Sequence, residues 1–292
     1  MPAATPFERP ANLADLRTDP GGPQWVRDLS RLVREAAEYF DVTIGPAFPN
    51  SHVSYTAPAT RRDGSDAVLK VQFPHPECVY EAAALQVWDG AGAVQLLDQF
   101  PGHSALLLER CTPGTPLSQL NCASAMDVYC DLLPRLWKPT SAPISTLADE
   151  AQRWHDGLLD EWTRQEQPVP RRWVDMAMEA CLGLAPSQGE SVLVHQDMHA
   201  NNVLRAEREP WLVIDPKPLL GEREFSVASI VRSNELGSSR DLVLYRFDRL
   251  CGDLQLDRDR ARSWTIVQTL AWCMAARHTK RHEMIGWLLG EE

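Results

Sequence analysis

Apolar residues recur at helical spacing from Gln24 to Phe40, through Trp25, Leu29, Leu32, Val33, Ala36 and Phe40, which predicts an amphipathic helix. The pattern then shortens to strand lengths over residues 51–60 and Ala67–Phe73. These bracket Arg61-Arg62-Asp63-Gly64, whose Asp-Gly pair is a hairpin-turn signal. The Ala- and Leu-rich segment ECVYEAAALQVWDG has high helix propensity. Val94–Phe100 and Ala105–Cys111 read as two further strands, separated by Pro101-Gly102. Beyond Thr112-Pro113-Gly114 the chain is mainly helical, with apolar stripes near 117–138, 147–166 and 170–184, and again near 225–236, 240–251 and 257–278. Residues 191–216, SVLVHQDMHANNVLRAEREPWLVIDP, interrupt this series. There the short runs Val192–Val194 and Trp211–Ile214 frame a polar loop and a hairpin.

The interruption carries the chemistry. His195-Gln196-Asp197 closes the first run, Asn202 follows Asp197 by five residues, and Asp215 closes the second run. Two carboxylates and a carboxamide at strand ends are suited to holding divalent cations against a polyphosphate while one carboxylate faces an incoming hydroxyl. Asp215 supplies a carboxylate and Asn202 a neutral oxygen to Mg²⁺, and Asp197 accepts the proton of the attacking alcohol. His195 reads as a support for the loop backbone. A zinc site at His195, Asp197 and His199 would need further His or Cys ligands, and no second His-rich motif accompanies this one. Earlier in the chain, Lys70 sits among apolar residues in Ala67-Val68-Leu69-Lys70-Val71, where an ammonium is costly to bury without a partner. Glu77 and Glu81 are the helical candidates, and Glu77, just after Pro76, suits a helix N-terminus.

H-x-D-x-x-x-x-N followed by an apolar strand ending in Asp resembles the catalytic loop of kinases with the protein-kinase-like fold. The form HQDMHANN, with Asp-Pro and the run NVLRAEREPWLVIDPKP, is most similar to the streptomycin 6-kinase and hydroxyurea resistance branch of the aminoglycoside phosphotransferases. The resemblance implies an α+β, two-lobed fold: a β-rich N-lobe over residues 1–110, a helical C-lobe over 111–292, and ATP in the cleft between them, GTP not being excluded. It implies that Lys70 grips the nucleotide phosphates. It also pairs that lysine with Glu81, which matches the family segment EAxALRLWDGRGAV. Backbone groups of Glu109, Arg110 and Cys111 take the hinge position against the adenine edge, and those of Asn50 and Ser51 contact phosphate. Phe48-Pro49-Asn50-Ser51-His52 has no glycine where a Gly-rich turn is expected. Relatives usually carry Gly at 196, Pro-Gly at 200–201 and Asp at 226, where this chain has Gln196, Ala200-Asn201 and Ser226. The implied acceptor is a hydroxyl of a small antibiotic (an aminoglycoside, nucleoside or peptide), which phosphorylation would burden with charge and bulk. A metabolic kinase acting on choline, a sugar or an amino alcohol, or a nucleotide-binding pseudokinase, are the alternatives.

Composition narrows this further. A chain of 292 residues with 44% hydrophobic content holds one large or two modest domains. Net charge of −11 and pI about 5.2 argue against nucleic acid or an anionic membrane as the main partner, and favour a cationic or neutral substrate. No apolar run of membrane-spanning length and no secretory pattern appears, and the seven cysteines lack paired metal spacing, which suggests reduced thiols in a cytoplasm. Trp137, Trp154, Trp162 and Trp173 lie on helical stripes and read as core. The acids Asp149, Glu150, Asp156, Asp160 and Glu161 read as a solvated face.

Overall fold

A computed structural model describes Leu13, Leu16 and residues 20–49, 53–75 and 78–291; Asn50, Ser51 and Glu77 lie outside the described residues. The chain divides into two units, Met1–Gly114 and Thr115–Glu292.

In the first unit, α1 (Gly22–Tyr39) turns Trp25, Val26, Leu29, Val33 and Ala36 inward, as its spacing requires. The sheet comprises β1 (Val42–Ile44), β2 (Ser54–Arg61), β3 (Asp66–Gln72), β4 (Leu96–Phe100) and β5 (Ala105–Glu109). Its order is β1-β2-β3-β5-β4, and every neighbouring pair is antiparallel. Tyr55, Ala57, Ala59, Ala67, Leu69 and Val71 form one buried core with α1, each large apolar side chain contributing about 1.5–3 kcal/mol by leaving water. The Asp63-Gly64 turn joins β2 to β3 with Gly64 at φ 84, a left-handed position where glycine carries no steric penalty. On the other face of β3, the middle strand, Asp66 is exposed and Val68 half-buried, while Lys70 and Gln72 are buried. The helix α2 (Glu81–Trp88) opens with Glu81, where a carboxylate meets the positive end of the helix dipole. Three strands are shorter than their apolar runs: β2 starts at Ser54, β4 at Leu96, and β5 ends at Glu109.

The second unit holds α3 (Cys122–Leu136), α4 (Leu147–Arg164), α5 (Arg171–Leu184), α6 (Ala228–Arg232), α7 (Arg240–Asp253), α8 (Arg258–Trp272) and α9 (Thr279–Leu288). Asn121, Thr146, Ser239 and Asp257 cap α3, α4, α7 and α8 by accepting first-turn N–H groups. Two antiparallel ribbons interrupt the helices: β6 (Val192–Val194) pairs with β9 (Leu219–Gly221), and β7 (Val203–Arg205) with β8 (Trp211–Val213). Phe225 packs edge-on against Trp264 at 5.7 Å and lies 6.0 Å from Trp154. Trp154 and Trp173 are core residues, and Asp149, Asp156 and Asp160 face solvent, whereas Glu150 turns inward and is buried, contrary to the solvated-face expectation. No two cysteines are joined by a disulfide, and no helix among the described residues is long and apolar enough to cross a membrane.

Two helices differ from their sequence pattern. The stripe over 225–236 is a 3-10 turn (Arg223–Val227) followed by the five-residue α6. Arg246, fully buried, donates to the carbonyls of Val231 and Ser233 at 2.9 Å each, satisfying oxygens that the end of α6 leaves without helical donors. The stripe over 257–278 ends at Trp272. Cys273 leaves helical geometry and its carbonyl accepts from His282 Nε2 at 2.7 Å, after which α9 begins at Thr279.

Candidate active site

In the first unit, the alternation of β3 puts Lys70 and Gln72 on one face, and both reach the same oxygen. Lys70 Nζ and Gln72 Nε2 each lie 2.6 Å from Glu81 Oε2. Lys70 is 4% and Glu81 1% exposed, so the structure brings together the lysine and the glutamate that the resemblance paired. At the position that the resemblance assigns to the hinge, the Glu109 N–H donates to the Gln95 carbonyl at 2.9 Å, while Arg110 and Cys111 follow the last residue of β5. Arg110 makes an exposed ion pair with Asp66 at 3.4 Å.

In the second unit, residues 195–202 form a loop tied down along its length. His195 is buried and its Nε2 is 2.9 Å from the Ile214 carbonyl; its own carbonyl receives the N–H groups of Asp197 and Lys217 at 2.8 and 3.1 Å. Burial brings its pKa down to about 4, so the ring is neutral at pH 7 and serves as a backbone support. Gln196 stands at φ 63, in the left-handed region, and its carbonyl accepts from Gln268 Nε2 at 2.9 Å. The Met198 N–H donates to Ser229 Oγ at 2.8 Å, and Tyr129 donates to the Met198 carbonyl at 3.0 Å. Where Pro-Gly is usual, the side-chain amide of Asn201 donates to Glu235 at 2.7 Å and its oxygen accepts from Ser118 at 2.6 Å. Where Asp is usual, Ser226 accepts from the Trp137 indole at 2.9 Å.

Asp197 and Asn202 are fixed relative to each other. Asn202 Nδ2 donates to the Asp197 carbonyl at 2.9 Å, so the amide geometry turns Oδ1, a neutral oxygen and candidate ligand, the other way. Asp197 Oδ2 lies 2.8 Å from Lys217 Nζ, and Oδ1 lies 3.6 Å from Arg232 Nη2. Burial raises the Asp197 pKa, but the charges of Lys217, His199 and Arg232 outweigh it and hold the carboxyl below its ordinary value. Asp215, at φ 54, follows β8, and the Ile214 N–H is bonded to the Asn202 carbonyl at 2.9 Å, so β8 and the loop are stitched next to both candidate metal ligands. No group of three or more His, Cys, Asp or Glu side chains suited to a metal occurs among the described residues. One carboxylate plus one carboxamide fits Mg²⁺, which takes most of its oxygens from phosphate and water. His195 is turned onto a backbone carbonyl, and His199 Nδ1 lies 2.9 Å from Glu235, an arrangement that does not favour zinc.

Lys217 and Arg232 carry no role in the sequence reading. Lys217 stands between two prolines just after Asp215, and that position was its only signal. Arg232 ends a helix and meets Asp197 from 35 residues away in sequence, and no local pattern shows this.

Comparison with known proteins identifies the family and the fold. The family described as aminoglycoside/hydroxyurea antibiotic resistance kinase matches residues 42–280. A streptomycin 6-kinase of Streptomyces glaucescens is 36% identical over 86% of this chain and 85% of its own. A hydroxyurea phosphotransferase of Kitasatospora aureofaciens is 35% identical over 91% of this chain and 79% of its own. Among solved structures, choline kinase LicA from Streptococcus pneumoniae superposes with a TM-score of 0.63 at 11% identity, covering 90% of this chain and 99% of that one, which shows a shared kinase-like fold.

Proposed function

The chain belongs to the aminoglycoside/hydroxyurea antibiotic resistance kinase family, and on that premise we propose that it transfers the γ-phosphoryl group of ATP to a hydroxyl of a small antibiotic. The reading rests on one observation above the rest: an ionised, clamped Asp197 on a loop whose Asn202 is bonded back onto it.

In this reading Asp197 accepts the hydroxyl proton while the acceptor oxygen bonds to the γ-phosphorus. The bond from that phosphorus to the β–γ bridging oxygen breaks, and its electrons leave with ADP. A carboxylate with a depressed pKa is a weak base, and that suits a loose transition state in which the nucleophile is aimed first and loses its proton late. Lys70, held by Glu81, steadies the nucleotide phosphates, and backbone groups of the Glu109–Cys111 segment meet the adenine. Asn202 and Asp215 hold Mg²⁺, which when bound neutralises charge on the phosphates. A reaction that draws on ATP belongs in the cytoplasm. The acceptor is a small hydroxylated antibiotic, and the compounds in its relatives' names, streptomycin and hydroxyurea, are the first candidates to compare.

The test is ADP release across a panel of hydroxylated antibiotics, with mass spectrometry for a gain of one phosphate on the acceptor. Turnover is expected with at least one compound and is lost in Asp197→Asn. Absence of ADP release with every acceptor rejects the reading. Asp215→Asn is expected to weaken Mg²⁺-nucleotide binding in calorimetry, and unchanged affinity removes its assigned role.

A further inference from the structure

The surroundings of Asp197 have the opposite sign from the chain as a whole. The protein carries a net charge of −11, yet both oxygens of this carboxylate face cations, Lys217 at 2.8 Å and Arg232 at 3.6 Å. Both cations also lie over the indole of the half-buried Trp272, with Lys217 Nζ 5.1 Å and the Arg232 guanidinium carbon 4.6 Å from the ring centre. Trp272 stands one helical turn after Gln268 on α8, so the residue that pins the Gln196 carbonyl and the ring beneath the cations share one helix face.

The two cations are satisfied to different degrees. Lys217 makes a short ion pair with Oδ2. Arg232 is only 8% exposed, and among the described residues Nη1 contacts the Cys273 thiol at 3.6 Å, Nη2 sits 3.6 Å from Oδ1, and the buried Nε has no hydrogen-bond partner. A thiol is a weak acceptor, and a guanidinium has five donors in a fixed fork made for oxygens. Burying so many donors against so little oxygen is costly unless a ligand supplies the rest. The asymmetry also assigns the two oxygens of the base. Oδ2 is held by Lys217, leaving Oδ1, on the Arg232 side, to receive the acceptor hydroxyl.

We propose that Arg232 is a specificity-determining residue, which takes an oxygen of the acceptor itself, a carbonyl or carboxylate flanking the reacting hydroxyl, so that the preferred substrate is neutral or anionic next to that hydroxyl. An ammonium or guanidinium at the same place would meet Arg232 and Lys217 as like charges. This assignment rests on the kinase reading for the meaning of the acceptor. The same oxygen chemistry is offered by the phosphoryl group in transfer, and the experiment separates the two sources.

The full-length protein is titrated with glycerate, glycerol and 3-aminopropane-1,2-diol, which present a hydroxyl beside a carboxylate, a hydroxyl and an ammonium. In parallel, kcat/KM is measured across the antibiotic panel for wild type, Arg232→Gln and Arg232→Lys, with circular dichroism to check folding. Glycerate is expected to bind about tenfold or more tightly than the amino diol, the gain of a charge-assisted hydrogen bond. Arg232→Gln is expected to erase that ratio mainly through KM, and Arg232→Lys to keep part of it. The proposal is overturned if the amino diol binds as well as glycerate in the wild type, if Arg232→Gln leaves the ratio unchanged, or if it lowers kcat equally for every acceptor, which would give the oxygen to the phosphoryl group. A glycerate preference without any ADP release supports the subsite while rejecting the kinase reading. Turnover that favours cationic acceptors does the reverse.

Discussion

Lys70 with Glu81 in the first unit and Lys217 with Asp197 in the second are lysine–carboxylate pairs at similar distances, 2.6 and 2.8 Å, built by different means. The first joins a middle strand to a helix start, with side chains 5% and 1% exposed and Gln72 adding a second donor to the same oxygen. The second joins two loops, with side chains 19% and 13% exposed, and its carboxylate is shared with Arg232. Regular elements hold the deeper pair. The shallower pair depends on backbone bonds to His195, Gln196 and Met198, and it keeps one carboxylate oxygen within reach of a ligand. In the proposed reading, depth secures the lysine assigned to the phosphates, whereas the carboxylate assigned as base needs access more than depth.

Four measurements would break or sharpen this contrast. Asp197→Asn is expected to cut turnover by about 10²–10⁴-fold, the usual worth of a positioned general base, with little change in the urea midpoint. A large loss of stability would mean that the shallow pair also holds the fold. Lys70→Met should destabilise by about 3–5 kcal/mol in denaturant titration, because one partner of a buried ion pair is removed while Glu81 stays buried. Adding Glu81→Gln should recover much of that loss, and a double variant no better than the single would contradict the ion-pair account. Gln196→Gly should stabilise by roughly 0.5–1 kcal/mol, since a left-handed L-residue costs about 1–2 kcal/mol and glycine returns part of it as entropy. The buried Nε2 of Gln196 has no partner in the described structure, so little bonding is lost with it.

The smallest effect concerns pH. Burial lowers the His199 pKa, but Glu235 and Asp197 outweigh it and raise it above 6.5; burial raises the Glu235 pKa, but His199 outweighs it and lowers it below 4.5. The raised histidine contributes in full below pH 6.5 and fades as pH rises through its folded value. The lowered carboxyl contributes in full above pH 4.5 and fades as pH falls through its own. The stability gap between wild type and His199→Gln should therefore be widest between those two values and narrow on either side. A gap that is flat across this range removes the pair from the account.

The sequence revealed these features unevenly, for physical reasons. Lys70 stood out because an ammonium inside an apolar strand demands a partner, and the helix beginning at Glu81 offers one within a short span. His195, Asp197, Asn202 and Asp215 stood out because cation and hydroxyl chemistry constrains both their type and their spacing. Lys217, Arg232, Glu235 and Trp272 did not, since they meet the loop from distant segments and each looks locally like a turn or helix-end residue. The helix α9 was hidden by its polar opening, Thr279-Lys280-Arg281-His282-Glu283, in which only packing shows that His282 is buried. The long stripe before it runs on in sequence past Trp272 because nothing local marks Cys273 as the residue that turns its carbonyl to His282.

The bond from Gln268 to the Gln196 carbonyl spans 72 positions of sequence. During synthesis the HQDMHANN segment therefore leaves the ribosome well before its clasp. Until α8 has emerged and docked, a nascent chain can hold the β7–β8 hairpin but lacks the latch on the peptide just ahead of Asp197. Competence for chemistry thus waits on a segment made well after the loop that it serves.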